Sequence, residues 1–213
     1  MSAKDGDGYH SGSAGLFVLS GPSASGKTSV VKGVCASTRV WFSVSATTRA
    51  PRPGETEGVD YFFYTPERFS HDIESGDFLE HAQVHANMYG TPLGPIMTRM
   101  GQGIPVLLDI DVQGALQVKS KYPGAVLIFL VPPSRRVLES RLRGRGTESD
   151  EDIERRLTIA DSEIALSGRY DYLVINDVLG KAIEDVRSII TAESLKMPQG
   201  GIHDPWHNSE LKI

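Results

Sequence analysis

Residues 16–28 of this chain, LFVLSGPSASGKT, decide its fold. Residues 16–19 form a short apolar run without helical periodicity, which predicts a buried strand. A glycine-rich turn follows at once, and residues 27–37 then carry three valines at helical spacing. A strand, a glycine-rich turn and a helix in this order predict the first βα unit of a parallel sheet, and therefore an α/β fold.

The glycine-rich turn predicts a phosphate-binding loop. Residues 21–28, GPSASGKT, match the pattern G-x-x-x-x-G-K-[ST] in full. Its glycines let the backbone wrap tightly, so that several amide N–H groups converge on one anion at the positive end of the following helix. In this pattern Lys27 reaches the outer phosphates of a nucleoside triphosphate, and Thr28 ligates Mg²⁺. A chance glycine-rich turn is the alternative, which the flanking strand and helix make the weaker one.

The composition of the chain excludes several functional classes. The 213 residues carry 22 Lys and Arg against 27 Asp and Glu, and this balance argues against broad electrostatic binding to nucleic acid. A single cysteine, Cys35, rules out an internal disulfide framework. No apolar run approaches the roughly 18 residues of a membrane span, and residues 1–15 lack the apolar core of a secretory signal. We therefore expect a cytoplasmic protein that binds neither membranes nor nucleic acid.

Three further apolar runs predict strands, and a helical pattern follows each of them. The runs are residues 104–110, 125–131 and 172–175, and the helical patterns are residues 112–121, 134–142 and 179–195. Ser134 and Ser149 are plausible helix N-caps. This alternation predicts a parallel sheet core that is flanked by helices.

Two stretches break the alternation and divide the chain. Residues 45–91 are rich in Pro, Gly, Tyr and charge, which indicates an inserted mixed α/β subdomain, and the polar residues 143–156 indicate a mobile lid. We expect the core to comprise residues 15–44 and 92–195. Residues 1–14 lack the apolar content to pack and predict a flexible N-terminus, and residues 196–213 form a tail without a periodic pattern.

The end of the predicted strand at residues 104–110 carries acidic residues. Asp109 and Asp111 alternate with Ile110 and so would share one face of the strand. At the carboxyl end of a parallel strand they would face the same crevice as the phosphate-binding loop, where a carboxylate holds Mg²⁺ directly or through water. The alternative for Asp111 is a cap of the following helix.

Two arginine groups predict anion sites in addition to the loop. Arg49 and Arg52 lie in a segment stiffened by two prolines, and Tyr61 and Tyr89 could add hydroxyl donors to the same phosphate. The alternative is a solvated proline-rich loop. The second group lies between residues 135 and 156, where Arg141 and Arg145 would repel each other on a continuing helix unless an anion lay between them. The interleaved acidic residues leave surface ion pairs open as the alternative.

Several long motifs resemble those of guanylate kinases. They are SVSATTRAPRPGE, GVDYFF, FLEHAQVHANMYGTP, LLDIDVQG and RLRGRGTESDEDIERRL, and together with the phosphate-binding loop they extend the resemblance from about residue 16 to about residue 195. The resemblance implies the P-loop nucleoside monophosphate kinase fold. It also implies transfer of the γ-phosphoryl group of ATP to GMP or dGMP, which gives ADP and GDP, with Mg²⁺ as the cofactor. Monomer and homo-oligomer both stay open.

The resemblance also implies roles for individual residues. ATP would be bound by the loop and by a residue near the adenine: Gly21, Pro22, Ser23, Ala24, Ser25, Gly26, Lys27, Thr28, Ser29 and Asn176. GMP would be bound by Ser45, Arg49, Arg52, Glu55, Tyr61, Glu80, Tyr89, Thr91 and Asp111. The catalytic cations would be Lys27, Arg49, Arg141, Arg145 and Arg156. Thr28, and Asp109 directly or through water, would hold the metal.

Guanine recognition can be argued from chemistry for one of these residues. The Glu80 carboxylate only accepts hydrogen bonds, so it fits the adjacent N1–H and N2–H₂ donors of guanine. Adenine would leave the carboxylate desolvated and unpaired, which gives strong discrimination. The sequence departs from the family at Ala24, where a glycine is common, and we expect little effect there.

Two other functions share these motifs. A non-catalytic guanylate-kinase-like module that binds peptides would have an eroded phosphate-binding loop, whereas Lys27 and Thr28 are present here. A sister kinase for another phosphorylated acceptor, such as a ribose bisphosphate, would lack a guanine-recognising residue, and Glu80 with Thr91 argues against it.

Overall fold

The computed structural model describes residues 15–84, 86–144 and 149–196. The strands are β1 (Leu16–Ser20), β2 (Trp41–Phe42), β3 (Ala46–Thr47), β4 (Phe62–Phe63), β5 (Phe78–Val84), β6 (Asn87–Pro92), β7 (Val106–Asp109), β8 (Val126–Val131) and β9 (Tyr172–Ile175). The helices are α1 (Lys27–Ser37), α2 (Pro66–Glu74), α3 (Leu93–Gly101), α4 (Val112–Lys121), α5 (Arg135–Arg143), α6 (Asp150–Ala165) and α7 (Leu179–Ser194).

A five-stranded sheet forms the centre of the fold, in the order β2-β7-β1-β8-β9. All its strand pairs are parallel. Strand β1 lies between β7 and β8, and Leu19 is in register with Asp109. Because parallel strands end at the same edge of a sheet, the loop after β1 and the acidic end of β7 lie next to each other.

The core lies on both faces of this sheet, because successive side chains of a strand point in opposite directions. Phe17 and Leu19 belong to the apolar cluster that α1 and α7 cover, whereas Leu16 and Val18 belong to the cluster on the face of α3 and α4. All four side chains are at most 1% exposed. The prediction of a buried strand at residues 16–19 is therefore confirmed.

A second, four-stranded sheet is formed by residues 46–92, in the order β4-β3-β6-β5. Strands β3 and β4 are parallel, whereas β6 is antiparallel to both β3 and β5. The predicted α/β fold, a parallel core sheet with a mixed second element, is confirmed.

The predicted lid, residues 143–156, is helical at both of its ends. Helix α5 extends to Arg143, and α6 begins at Asp150. The Ser149 hydroxyl caps α6 by accepting a hydrogen bond from the Asp152 N–H at 3.2 Å, and three acidic residues in the first turn favour the positive helix end. Residues 145–148 lie outside the described residues, as do the predicted flexible N-terminus at residues 1–14 and residues 197–213 of the tail.

In the described ranges, no helix is long and apolar enough to cross a membrane.

Candidate active site

The two glycines of the phosphate-binding loop are required by its backbone geometry. Gly21 has a φ of 142° and Gly26 a φ of 97°, values that side chains disfavour. A β-carbon on Gly21 would lie 2.1 Å from the Leu130 carbonyl oxygen, and one on Gly26 would lie 2.3 Å from Asn176 Nδ2. The loop therefore packs against the ends of β8 and β9 at distances that only glycine permits.

Ala24 is the residue of the loop at which backbone strain is found. Its φ of 65° makes it the one described residue other than glycine with a positive φ. A non-glycine residue in this left-handed region costs roughly 1–2 kcal/mol. The sequence did not indicate this positive φ, and the expectation that Ala24 has little effect stays a prediction. The Ala24 methyl group packs against the apolar cluster between α5 and α6, which partly offsets this cost.

Lys27 begins α1 and folds back over the loop. Its ammonium group donates hydrogen bonds to the carbonyl oxygens of Gly21 at 2.7 Å and Pro22 at 3.3 Å. Gly26 precedes the helix and provides no side-chain cap for its first N–H groups. Thr28 and Ser29 are exposed in the first turn. The loop thus presents an ammonium group, helix N–H groups and hydroxyl groups at the carboxyl edge of the sheet.

Two of the predicted arginines contact the phosphate-binding loop. Arg141 on α5 donates hydrogen bonds to the carbonyl oxygens of Ser25 at 3.2 Å and Asn176 at 2.8 Å. Arg156 on α6 donates one to the Ser23 hydroxyl at 3.1 Å. These contacts bring both guanidinium groups to the rim of the loop.

Other arginines of this region form ion pairs on the surface. Arg143 pairs with Glu139 and Asp150, and Arg135 pairs with Glu154 and Asp161. For these two arginines, the alternative of surface ion pairs that the sequence analysis kept open is therefore correct. Helix α5 ends at Arg143, with Gly144 as its C-cap. Arg145 itself lies outside the described residues.

Asn176, directly after strand β9, stabilises the phosphate-binding loop by a hydrogen bond. It is 5% exposed, and its Nδ2 donates a hydrogen bond to the Ser25 carbonyl oxygen at 2.8 Å. The sequence predicted a position near the adenine. This contact shows that the side chain is engaged with the loop backbone.

The two acidic residues after β7 are in different environments. Burial raises the pKa of the Asp109 carboxyl, and the nearby Lys27 ammonium opposes this rise. Asp111 is the N-cap of α4, where its Oδ1 accepts a hydrogen bond from the Gly114 N–H at 2.8 Å. The alternative that the sequence analysis kept open for Asp111, a helix cap, is thus correct. The second carboxylate oxygen of Asp111 takes no part in this hydrogen bond.

Arg49, two residues after strand β3 of the second sheet, is held in place by Glu55. Its Nη2 lies 2.8 Å from Glu55 Oε1, and this hydrogen bond lowers the pKa of the Glu55 carboxyl. Glu55 Oε2 also accepts a hydrogen bond from the Arg52 backbone N–H at 2.7 Å. Arg49 Nε is buried and has no hydrogen-bond partner among the described residues. A buried donor without a partner suits an anionic ligand, because leaving it unpaired is costly.

The two predicted tyrosines surround this guanidinium group. The Tyr61 and Tyr89 rings meet edge to face with centroids 6.0 Å apart, and the Arg49 guanidinium lies 5.6 Å from the centre of the Tyr61 ring. Burial raises the pKa of Tyr61, and the charges of nearby Tyr89 and Asp109 add to the rise. The Asp109 charge thus acts on Tyr61, whereas the Lys27 charge acts on Asp109. Arg52 is exposed, and Ser45 is half-buried before β3.

Glu80 is a buried carboxylate on β5. It lies opposite Thr91 in the β5–β6 pair, and its Oε1 accepts a hydrogen bond from the Thr91 hydroxyl at 2.5 Å. Glu80 is 5% exposed. Burial raises its pKa to about 7, against the opposing hydrogen bond from Thr91. The register of two strands therefore brings together the two residues that the sequence predicted to recognise guanine.

Comparisons with known proteins decide the family. A family model described as guanylate kinase matches residues 13–193. The chain belongs to the guanylate kinase family. It is 49% identical to the guanylate kinase of Gloeobacter violaceus over 187 residues, and this alignment covers 87% of this chain and 91% of that protein. It is 51% identical to the guanylate kinase of Streptococcus pneumoniae over 180 residues, and this alignment covers 84% of this chain and 86% of that protein.

A solved structure agrees with this assignment. The crystal structure of guanylate kinase from Anaplasma phagocytophilum superposes with a TM-score of 0.72 at 32% identity, over 88% of this chain and 89% of that chain. The guanylate kinase fold is therefore confirmed from sequence and from structure. The names of these relatives favour the kinase over the peptide-binding module and over a kinase for another acceptor.

Sequence reasoning missed how the guanylate kinase loop is tied to α5 and β9. Arg141 and Ser25 are 116 positions apart, and Asn176 and Ser25 are 151 positions apart. The only signal in the sequence was the position of Asn176 directly after an apolar run. A polar residue at the carboxyl end of a parallel strand faces the loop edge of the sheet, which could have suggested the contact.

Proposed function

We propose a residue-by-residue assignment for the reaction of this guanylate kinase, the transfer of the γ-phosphoryl group of ATP to GMP. The buried Glu80 carboxylate with its Thr91 hydrogen bond is the single observation that carries the assignment. An ionised carboxylate offers two acceptors side by side, which match the N1–H and N2–H₂ donors of guanine. We extend the proposal to dGMP, because none of the contacts assigned to guanine involves the ribose.

The triphosphate binds in the phosphate-binding loop. The backbone N–H groups of residues 21–26, the first turn of α1 and the Lys27 ammonium neutralise the phosphate charge. The hydrogen bonds of Lys27 to the Gly21 and Pro22 carbonyl oxygens support this role, because they hold the ammonium group over the loop. Asn176 contributes by holding the Ser25 carbonyl oxygen.

Mg²⁺ is the proposed cofactor, with Thr28 and Asp109 as its protein ligands, the latter directly or through water. Within residues 15–84, 86–144 and 149–196, no group of three or more His, Cys, Asp or Glu side chains could hold a metal. Two oxygen donors suit Mg²⁺, which keeps several waters and takes most of its other ligands from substrate phosphates. When bound, the ion neutralises charge on the β- and γ-phosphates.

The GMP phosphate binds between Arg49, Arg52, Tyr61 and Tyr89. The unpartnered Nε of Arg49 supports this role, since a phosphate oxygen would satisfy it. Glu55 acts through Arg49, which it holds by an ion pair. Ser45 and Asp111 complete the proposed contacts to GMP.

Phosphoryl transfer itself needs positioning and charge neutralisation rather than covalent help. A GMP phosphate oxygen attacks the γ-phosphorus, the bond to the β–γ bridging oxygen breaks, and ADP leaves. The attacking oxygen is already ionised, so no general base is required. Arg141 and Arg156, which hydrogen-bond the loop, stabilise the charge on the transferred group, and we assign Arg145 to the same task.

The remaining proposals concern domains, partners and location. Residues 45–91 form the GMP-binding subdomain, residues 15–44 and 92–195 form the core, and residues 143–156 form a lid that closes over the nucleotides. Closure would exclude water, which would otherwise hydrolyse ATP. We further propose a cytoplasmic protein that binds no nucleic acid, and leave monomer and homo-oligomer as the two assembly states to be measured.

Substitution of Glu80 by alanine tests the assignment of guanine recognition. We expect the ratio of kcat/KM for GMP to that for AMP to fall at least a hundredfold, because the hydrogen-bond acceptors for guanine are lost. The affinity for ATP should stay within twofold of wild type, and Glu184→Ala, an exposed carboxylate on α7, is the matched control. An unchanged GMP to AMP ratio would place guanine recognition elsewhere.

A further inference from the structure

Gly114, in the first turn of helix α4, lies next to the Glu80 carboxylate. Gly114 is buried. A methyl group on its Cα would lie 2.8 Å from Glu80 Oε2 and 3.2 Å from Glu80 Cδ. Real β-carbons essentially never show contacts under 3.0 Å. Any side chain at this position would therefore displace the carboxylate.

The local backbone does not explain a glycine here. Gly114 is helical and is not among the glycines with positive φ. Glycine is also a poorer helix former than alanine, so helix formation alone would favour a side chain at this position. A side chain at this position would meet the end of the Glu80 side chain, which would have to shift to make room.

The Glu80 carboxylate is enclosed from two sides. Its Oε1 accepts the hydrogen bond of the Thr91 hydroxyl on β6, whereas Oε2 faces the Cα of Gly114 on α4. The Gly114 N–H in turn donates to the Asp111 carboxylate that caps the helix. Thr91 therefore holds one carboxylate oxygen by a hydrogen bond, and the other oxygen occupies the space that a side chain at residue 114 would fill.

We infer that Gly114 is a positioning residue for guanine recognition, an inference that rests on the proposed role of Glu80. Guanine offers two adjacent donors, and both hydrogen bonds form only if the two carboxylate oxygens have the right position and orientation. A methyl group at residue 114 would move Oε2 without touching the phosphate-binding loop. The substitution would therefore weaken binding of the guanine base of GMP and leave the binding of ATP unchanged.

Substitution Gly114→Ala tests this inference by steady-state kinetics with GMP and with AMP as acceptors. We expect the GMP to AMP ratio of kcat/KM to fall at least tenfold, mainly through a higher KM for GMP, while the KM for ATP stays within twofold. Gly180→Ala is the matched control, because Gly180 also lies in the first turn of a helix, α7, and has no atom within 4 Å of the added methyl group. A ratio within twofold of wild type for Gly114→Ala would overturn the inference.

A double-mutant cycle with Glu80→Ala separates positioning from general damage. If Gly114 acts through the carboxylate, adding Gly114→Ala to Glu80→Ala should change the remaining activity by less than twofold. A further tenfold loss in that background would show that Gly114 acts on something other than Glu80 and would overturn the inference. Should Gly114→Ala fail to fold by circular dichroism, the double variant, which lacks the clashing carboxylate, should fold again. Failure of both to fold would also overturn it.

The same variants distinguish this inference from the proposed function. An unchanged GMP to AMP ratio in Glu80→Ala refutes the proposed guanine recognition and the inference with it. A low ratio in Glu80→Ala with an unchanged ratio in Gly114→Ala refutes the positioning role alone.

Discussion

GMP binding should depend on pH through Glu80. Burial raises the pKa of this carboxyl to about 7 in the free protein, and only the ionised form can accept both guanine hydrogen bonds. Binding must therefore remove the proton at low pH. The apparent affinity for GMP should fall about tenfold between pH 8 and pH 6 and about a hundredfold at pH 5, since each pH unit below the pKa costs a factor of ten.

The GMP phosphate also titrates, with a second pKa of about 6, and its effect has to be removed. Glu80→Gln keeps the shape of the side chain without its charge, so any pH dependence that remains in this variant belongs to the phosphate and to other groups. The ratio of wild-type to variant affinity, measured by isothermal titration calorimetry between pH 5 and pH 8, reports Glu80 alone. A ratio that stays flat over this range would refute the argument.

The same pKa predicts the sign of a stability effect. An unfolded chain loses this proton near the ordinary value of 4.5, whereas the folded protein keeps it up to about pH 7. The folded state therefore binds more protons in this window, and stability is lost as the pH rises through it. The full shift corresponds to about 3 kcal/mol, so Glu80→Gln should be more stable than wild type at pH 8 but not at pH 4 in urea denaturation.

The remaining predictions concern the arginines and the strained loop. Arg141→Ala should lower kcat about a hundredfold at saturating ATP and GMP, because a donor at the transferred phosphoryl group is lost, while Arg143→Ala on the same helix should change it less than threefold. Equal effects of the two substitutions in an ADP-release assay would contradict the assignment. Ala24→Gly should raise the free energy of unfolding by up to about 1 kcal/mol by relieving the positive φ, whereas Ala36→Gly, exposed on α1, should lower it by a similar amount. A loss of stability in both variants, measured by urea denaturation, would show that the loop is not strained.

Much of the local structure could be predicted from the sequence. The helical pattern at residues 112–121 and the apolar run at 172–175 coincide with α4 and β9. Ser134 and Ser149 cap α5 and α6 as predicted, with hydroxyl oxygens that accept backbone N–H groups three residues later. These features depend on side-chain spacing and on interactions within a few residues, which a single sequence displays directly.

The environment of β9 could not be predicted in the same way. Its run YLVI resembles the buried strands, yet Leu173 is 61% and Ile175 is 52% exposed. Strand β9 lies at the edge of the sheet, where Val174 is buried in the apolar core and Tyr172 packs against that core half-buried. Whether a strand is central or at an edge depends on the order of all strands, which no local pattern contains.

The sequence by itself determined the class of chemistry, because the loop pattern and the long family motifs are local and specific. Only the tertiary structure decided which residues work together. Arg141 and Arg143 look alike in the sequence, but one contacts the loop and the other pairs with Glu139 and Asp150 on the surface. The contact between Gly114 and Glu80 joins residues on a helix and a strand that are far apart along the chain. Such contacts depend on how helices and strands pack against each other in three dimensions. The spacing of residues within one helix or strand does not predict that packing.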